Sequence, residues 1–118
     1  MKVEAVRKFC LAFADAKENL QWGDDLCFKV REKIFAVLSL SAVPPSITFK
    51  CDPETFAELC ERDGIHPAAY VGRYKWVTVD GLDILPADEL KALIRSSYEM
   101  ISTKPRSKRT VKKTRKRG

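Results

Sequence analysis

The sequence is poor in the residues on which most catalytic and metal sites depend. It contains one histidine, His66, and four cysteines with no Cys-x-x-Cys pair among them, Cys10, Cys27, Cys51 and Cys60. This spacing fits neither a zinc site nor a disulfide framework. A Gly-rich phosphate loop and a Gly-x-Ser-x-Gly motif are also missing. We therefore predict that the protein is not an enzyme and that it has no catalytic residue, no metal and no cofactor.

These few residues offer one candidate pair of a nucleophile and a base, Cys60 with His66. The spacing of a thiol and an imidazole alone carries almost no specificity for catalysis. Each cysteine also falls within an apolar periodic segment, where a thiol behaves as a small hydrophobic side chain. We interpret the cysteines as free, buried or half-buried thiols in a reducing cytoplasm, and His66 as an ordinary loop residue before Pro67.

Long apolar runs are missing as well. The N-terminal run Phe9 to Ala14 has six residues, too few for the apolar region of a signal peptide. The longest apolar-rich run, Ile34 to Val43, includes two serines and falls short of the roughly 18 residues that span a bilayer. We therefore expect a cytoplasmic protein that does not bind membranes.

Positive charge is abundant but unevenly placed. The 118 residues suffice for one domain and carry a net charge of +6. Eight of the 22 basic residues and none of the 16 acidic ones lie in the last fourteen positions: Arg106, Lys108, Arg109, Lys112, Lys113, Arg115, Lys116 and Arg117. Residues 105–118 thus carry +8 and residues 1–104 carry −2. We predict a folded domain over residues 1–104 and a basic, disordered tail over residues 105–118.

Hydrophobic periodicity divides the folded part into helices and strands. It predicts a first helix over Lys2 to Ala14, a polar turn over Asp15 to Asn19, and strands over Cys27 to Arg31, Ile34 to Ser41 and Ser46 to Cys51. A hairpin turn is expected at Glu32-Lys33, and Pro44-Pro45 forces a loop. The short connections make these strands antiparallel.

The second half begins with a helix signal, because Asp52 is a good N-cap and Pro53 suits the first helical position. The pattern then predicts a loop over Ile65 to Tyr74, a strand over Lys75 to Asp80, and a closing helix from Pro86 to Pro105. Strands grouped between helices indicate an α+β fold, a two-layer sandwich with helices on one face of an antiparallel sheet. The order is roughly α-β-β-β-β-α-β-α.

The basic tail points to nucleic acid, because many phosphates can be contacted at once by such a segment. DNA is the expected partner, with RNA, an anionic membrane or a purely solubilising role as alternatives. Contacts of this kind carry no base-sequence information.

The folded part offers a second candidate surface. Strand alternation places basic side chains and an aromatic one on the face away from the helices, with Thr48 and Thr78 beside them, and the predicted contacts there are Lys29, Arg31, Lys33, Lys50 and Trp76. The same pattern occurs on half-exposed sheets that bind nothing, where the aliphatic parts of Lys or Arg side chains lie on Trp. The charge of −2 also argues against a strong field for nucleic acid.

Six short blocks occur in an order that resembles the MmcQ/YjbR family of small bacterial proteins. They are Trp22-Gly23-Asp24, Phe28-Lys29-Val30, Lys33-Ile34-Phe35-Ala36, Phe49-Lys50-Cys51-Asp52-Pro53, Pro67-Ala68-Ala69-Tyr70 with Lys75-Trp76-Val77, and Ser96-Ser97-Tyr98. The resemblance covers Val3 to Ile101 and none of the tail.

The resemblance implies a frataxin/CyaY-like sandwich and DNA binding, with the hairpins around Glu32-Lys33 and Pro44-Pro45 acting as two wings. The chain departs from the family where it carries Glu32 in place of a glycine, and where Ala14-Asp15-Ala16 replaces Pro-Gly.

Two functions remain open from the sequence. The first is a monomeric DNA-binding protein that acts through its tail, with possible help from the sheet. The alternative is a protein-interaction or small-ligand-binding module with a solubilising tail.

Overall fold

The computed structural model describes residues 1–21, 23–69 and 71–103. Its helices are α1 (Val3–Leu11), α2 (Pro53–Leu59) and α3 (Ala87–Ser102), and a 3-10 turn spans Gly72–Tyr74. Its strands are β1 (Ala16–Gln21), β2 (Asp25–Val30), β3 (Lys33–Ser39), β4 (Ser46–Lys50), β5 (Ile65–Pro67) and β6 (Trp76–Val79). They form one sheet in the order β1-β2-β3-β4-β6-β5, antiparallel throughout. The predicted α+β class is confirmed, and the frataxin/CyaY likeness stays a prediction.

The core lies between one face of the sheet and the helices. The longest helix, α3, packs against β2, β3 and β4, whereas α1 lies against β1 and α2 against β6. Register pairs the inward side chains of neighbouring strands, so that a continuous apolar layer forms from Leu26, Phe28, Leu38, Ala36, Ile47, Phe49, Val77 and Val79. The helices add Val6, Cys10, Leu59, Leu90, Ile94 and Ile101. The face that points away from this core is left without a described helix.

A bulge in β3 shapes the centre of the sheet. Phe28 pairs with Ala36 while its neighbour Lys29 pairs with Ile34, so Phe35 is the extra residue. The Phe35 side chain is fully buried in the core. Its carbonyl oxygen accepts a hydrogen bond of 2.6 Å from the Ser97 hydroxyl, which in turn accepts one of 3.0 Å from the Lys50 backbone N–H. A serine of α3 therefore replaces the ladder hydrogen bonds that the bulge removes.

The predicted polar turn over Asp15 to Asn19 is wrong, because most of it belongs to β1. This strand lies at the sheet edge and pairs only with β2. An edge strand buries little surface and needs few apolar residues, so its sequence looks like a turn. Glu18 faces the helices and is held by Arg7 of α1, whose Nε and Nη2 donate hydrogen bonds of 3.0 and 2.5 Å to its carboxylate.

The predicted loop over Ile65 to Tyr74 is wrong in part. It begins with β5, where His66 pairs with Thr78 of β6, and ends with the 3-10 turn. Three residues are too few to show alternation, and Pro67 is tolerated because the strand is at an edge. The turn between β2 and β3 also lies one residue earlier than predicted. Arg31 and Glu32 occupy it with φ of +51° and +69°, and Val30 pairs with Lys33 across it.

The remaining elements agree with the sequence. The Asp52 carboxylate caps α2 by accepting a 2.8 Å hydrogen bond from the Thr55 backbone N–H. The closing helix buries the predicted Leu90, Ile94, Ser97 and Ile101. All four cysteines are free thiols, three buried and Cys60 partly buried, as predicted. Residues 104–118, with the predicted domain boundary and the basic tail, lie outside the described residues.

Candidate nucleic-acid interface

Alternation along the strands creates a second face of the sheet that points away from the core. We call it the open face. Its central row crosses all six strands, because the pairs Asn19 with Cys27, Cys27 with Val37, Val37 with Thr48, Thr48 with Thr78, and Thr78 with His66 are in register. A second row contains Lys17, Lys29, Ile34, Lys50 and Trp76.

A shallow depression of about 700 Å³ lies on this face. Its floor is formed by short side chains of β3, β4 and β6, and the chain between β5 and the 3-10 turn adds small residues at its side. The lining consists of Asp25, Ile34, Val37, Thr48, Ala68, Ala69, Val71, Trp76 and Thr78. The Thr48 and Thr78 hydroxyl oxygens lie 2.8 Å apart and share a hydrogen bond. Most of the surface is therefore apolar, with one hydroxyl pair in its middle.

The second row contains three lysines, none of which lines this depression. Lys29 is in register with Ile34, which lines it, and Lys50 is in register with Trp76. The Lys50 ammonium donates a 3.2 Å hydrogen bond to the Tyr74 carbonyl oxygen. Lys17 stands directly opposite Lys29 on the edge strand. Lys17 was missed in the sequence because its segment was interpreted as a turn.

The predicted body residues are thus only partly brought together. Lys29, Lys50 and Trp76 share the open face. Arg31 lies in the hairpin turn, and its guanidinium donates a long 3.4 Å hydrogen bond to the Ser102 carbonyl oxygen at the end of α3. Lys33 is exposed at the start of β3, opposite the buried Val30, and does not join the row that contains Lys29.

A smaller depression of about 370 Å³ lies at the hairpin end of the open face. It is lined by charges of both signs together with one amide, Asp15, Lys17, Glu18, Asn19, Lys29, Arg31 and Glu32. The Glu18 carboxylate is engaged by Arg7, whose hydrogen bonds lower the pKa of Glu18. This end of the face therefore presents three cations, Lys17, Lys29 and Arg31, beside two further carboxylates, Asp15 and Glu32.

The Cys60 and His66 pair receives no support from the geometry. The His66 Nε2 lies 2.8 Å from Asp80 Oδ1 and its Nδ1 lies 3.2 Å from the Pro67 carbonyl oxygen. Both contacts raise the pKa of His66. Burial raises the pKa of the Cys60 thiol, which disfavours the thiolate. Within residues 1–21, 23–69 and 71–103, no cluster of His, Cys, Asp or Glu could hold a metal ion.

The comparisons with known proteins identify the family. A family model described as YjbR matches residues 11–100. The chain belongs to the YjbR family. This confirms the resemblance that the sequence blocks indicated, and the match extends from the end of α1 to the last turns of α3.

Solved structures of other proteins share the fold of this YjbR domain. The Deinococcus radiodurans protein DR2400, described by the domain DUF419, is 27% identical with a TM-score of 0.80, over 87% of this chain and 80% of that one. A Pseudomonas syringae protein is 24% identical, with a TM-score of 0.69 for its crystal structure (86% and 99% of the two chains) and 0.65 for its NMR structure (86% and 93%). No curated protein matches the chain. Among the described residues, no helix combines the length and apolar character needed to cross a membrane.

Proposed function

We propose that this YjbR protein binds nucleic acid without catalysing a reaction. The basic segment 105–118 supplies most of the affinity, and the open face supplies a second contact. The observation that carries the proposal is where α3 ends. The contact between Arg31 and the Ser102 carbonyl oxygen puts this end beside the hairpin, at the same end of the sheet as Lys17 and Lys29. Nine cations follow in the sequence from that point, Lys104 and the eight of residues 105–118.

The continuity between segment and face matters because the folded part alone is mildly acidic. Its field as a whole does not attract a polyanion. The +8 of residues 105–118 does attract one, and Lys17, Lys29 and Arg31 add a local attraction despite Asp15 and Glu32, since exposed charges act within a Debye length of about 8 Å at physiological salt. Phosphates are contacted in this arrangement without reading bases, so we expect weak dependence on sequence.

The positions of the two hairpins that the family resemblance names as wings favour binding along the open face over binding between the two wings. The turn at Arg31-Glu32 precedes β3 and the Pro44-Pro45 loop follows it. Seven strand residues separate them by about 23 Å, so they lie at opposite ends of the sheet. A ligand that touches both has to run along the sheet between them, across the open face.

The test is a titration of a labelled DNA duplex at two salt concentrations. For the full chain we expect a slope of log affinity against log salt of about −7, because up to eight phosphates are neutralised. Removing residues 105–118 reduces both the affinity and the slope. A chain of equal length with these cations replaced by Gln separates charge from length. Equal affinity and slope for all three proteins would contradict the proposal.

A second candidate function is favoured by the depression itself. Its largely apolar lining suits a protein segment or a small ligand, with the basic segment only keeping the protein soluble. This function predicts that Trp76→Ala leaves DNA affinity unchanged while it abolishes a protein or ligand contact found with the intact chain.

A further inference from the structure

We propose that the depression on the open face is a binding site for unpaired bases of a single-stranded nucleic acid, with Trp76 as the stacking platform. This inference rests on the proposed function and narrows its ligand from nucleic acid in general to single strands. It also gives the apolar part of the open face a role in binding, because phosphate contacts do not need an apolar surface.

The shape of the site favours an unpaired base over a duplex. Reading a duplex requires an element that enters a groove, such as a helix or a protruding ribbon. The depression is concave, and its floor is built from the short side chains of Val37, Thr48 and Thr78. Trp76 is half-buried and packs partly against the core, so its ring is held in place at the side of the depression. A fixed indole beside a shallow apolar floor is suited to a planar aromatic group.

The Thr48 and Thr78 pair gives this floor a hydrogen-bonding capacity that is not used up inside the protein. The two hydroxyls have two hydrogens, and the 2.8 Å bond between them uses one. The second hydrogen and the remaining lone pairs can meet a base edge that offers either an acceptor or a donor. Rotating hydroxyls adapt to both, so the site accepts different bases.

Two lysines of the neighbouring strands, Lys29 on β2 and Lys17 on β1, are the groups that would contact the phosphates, and both line the smaller depression. Lys17 and Lys29 stand directly opposite each other in the ladder, an arrangement of like charges that costs stability unless an anion lies between them. In the described part of the chain, neither ammonium forms a salt bridge. Lys29 is also in register with Ile34 of the lining. A strand whose base enters the depression therefore brings its backbone to this lysine pair.

The acidic groups of the open face determine on which side of the depression the nucleic-acid backbone lies. Asp25 lines the depression and repels phosphate there. Asp80 is engaged by His66 at the other edge of the sheet. The hairpin end holds Lys17, Lys29 and Arg31 together with the carboxylates of Asp15, Glu18 and Glu32. Because Arg7 pairs with Glu18, the three cations outnumber the two remaining carboxylates, and the backbone is attracted to this side.

The experiment compares single strands of about 12 nucleotides, as DNA and as RNA, with the matching DNA duplex. In the full chain, Trp76→Ala is expected to weaken single-strand binding about tenfold and duplex binding less than about twofold. Ile84→Ala is the matched control, because this apolar side chain is exposed in the loop between β6 and α3, lies outside both hairpins, and does not line the depression. The DNA and RNA arms show which strand the site takes.

A second measurement leaves the site intact and guards against misfolding of the Ala variant. In Trp22→Phe protein, Trp76 is the sole tryptophan, and a base stacked on it quenches its fluorescence. Saturable quenching by single strands, weakened by Lys29→Gln, supports the site. If strands bind the full chain without quenching Trp76 and Trp76→Ala binds them equally, the inference is wrong while the proposed function stands. If neither strands nor duplex bind the full chain, the proposed function itself fails.

Discussion

At the scale of single residues, Ser97 shows how one polar side chain supports the open face from the opposite side of the sheet. It sits on the apolar stripe of α3 and is fully buried. Through its hydroxyl it holds the Phe35 carbonyl and the Lys50 N–H, which belong to adjacent strands. Lys50 is in register with Trp76 on the open face. The serine therefore fixes, from the helix side, the backbone that carries the candidate site.

We predict that Ser97→Ala lowers the free energy of unfolding by about 1–3 kcal/mol, because it leaves a buried carbonyl and a buried N–H without partners. Urea denaturation measures the change. Ser96→Ala on the same helix is the control and is expected to change stability by less than about 0.5 kcal/mol. Equal losses in the two variants would show that the hydroxyl contacts carry no special weight.

Whether the position of a site residue could be predicted from the sequence depended on how regular its strand or helix is. Trp76, Lys29 and Lys50 were placed correctly from strand parity, because each lies in a strand whose opposite face is apolar. Lys17 was missed, since its edge strand has no apolar alternation. The bonding role of Ser97 left only one signal in the sequence, a polar residue at an otherwise apolar helix position. Its partners come from a bulge, which no local pattern shows.

At the scale of elements, the hairpin between β2 and β3 carries a local conflict. Both of its turn residues, Arg31 and Glu32, have positive φ. Two-residue turns of this type favour Asn or Gly, because other side chains crowd the backbone in the left-handed region. The family tendency towards glycine at the second position agrees with this geometry. Glu32 therefore costs stability and also adds a negative charge beside Lys29 and Arg31.

Glu32→Gly is accordingly expected to raise the free energy of unfolding by about 1 kcal/mol. It should also strengthen nucleic-acid binding, because one carboxylate is removed from the cationic end of the open face. Thermal unfolding and duplex titration check the two effects. Lys33→Gly serves as the control, since it lies in a strand and is expected to destabilise. A stability loss in Glu32→Gly would refute the strain.

The short strand β5 is tied to the loop after β6 by a pH-dependent contact. Hydrogen bonds that the His66 ring donates to the Asp80 carboxylate and to the Pro67 carbonyl oxygen raise the pKa of His66 above its ordinary value of 6.5. A histidine whose pKa is raised on folding stabilises the protein when it is charged. Its contribution is complete below the unfolded value and disappears as the pH rises through the raised folded value.

Asp80→Asn should therefore destabilise the protein most at pH below 6.5 and have little effect at alkaline pH. Urea denaturation across this range, with the His66→Gln variant alongside, measures the difference. In the His66→Gln background the Asp80→Asn effect should no longer vary with pH over the interval. A difference between wild type and Asp80→Asn that grows with rising pH would contradict the assignment.

The elements themselves were predictable where burial imposes a period. The closing helix and the strands of the sheet centre each bury one full side, and these were confirmed. The edge strands β1 and β5 were missed because each has a neighbour on one side only and needs little apolar surface. The hairpin turn shifted by one residue, because its position follows from backbone conformation rather than from hydrophobic pattern.

At the scale of the whole molecule, charge and apolar surface are divided between two parts of the chain. In the described part of the chain, the buried apolar core runs from Val6 to Ile101. Residues 105–118 contain Val111 as their single aliphatic side chain beside eight cations. The described core and the proposed phosphate contacts thus lie in separate segments, so a change to one need not alter the other.

We therefore predict that removing residues 105–118 changes the free energy of unfolding by less than about 0.5 kcal/mol, measured by urea denaturation. Since the remaining chain is acidic, the basic segment could still be attracted to it, and this attraction weakens with salt. The comparison is made at low and at high salt, where the two proteins should converge. A loss above about 1 kcal/mol at both salts would show that the segment packs on the domain. In that case a drop in DNA affinity on truncation would reflect lost structure rather than lost phosphate contacts, so this measurement decides how the binding experiment is interpreted.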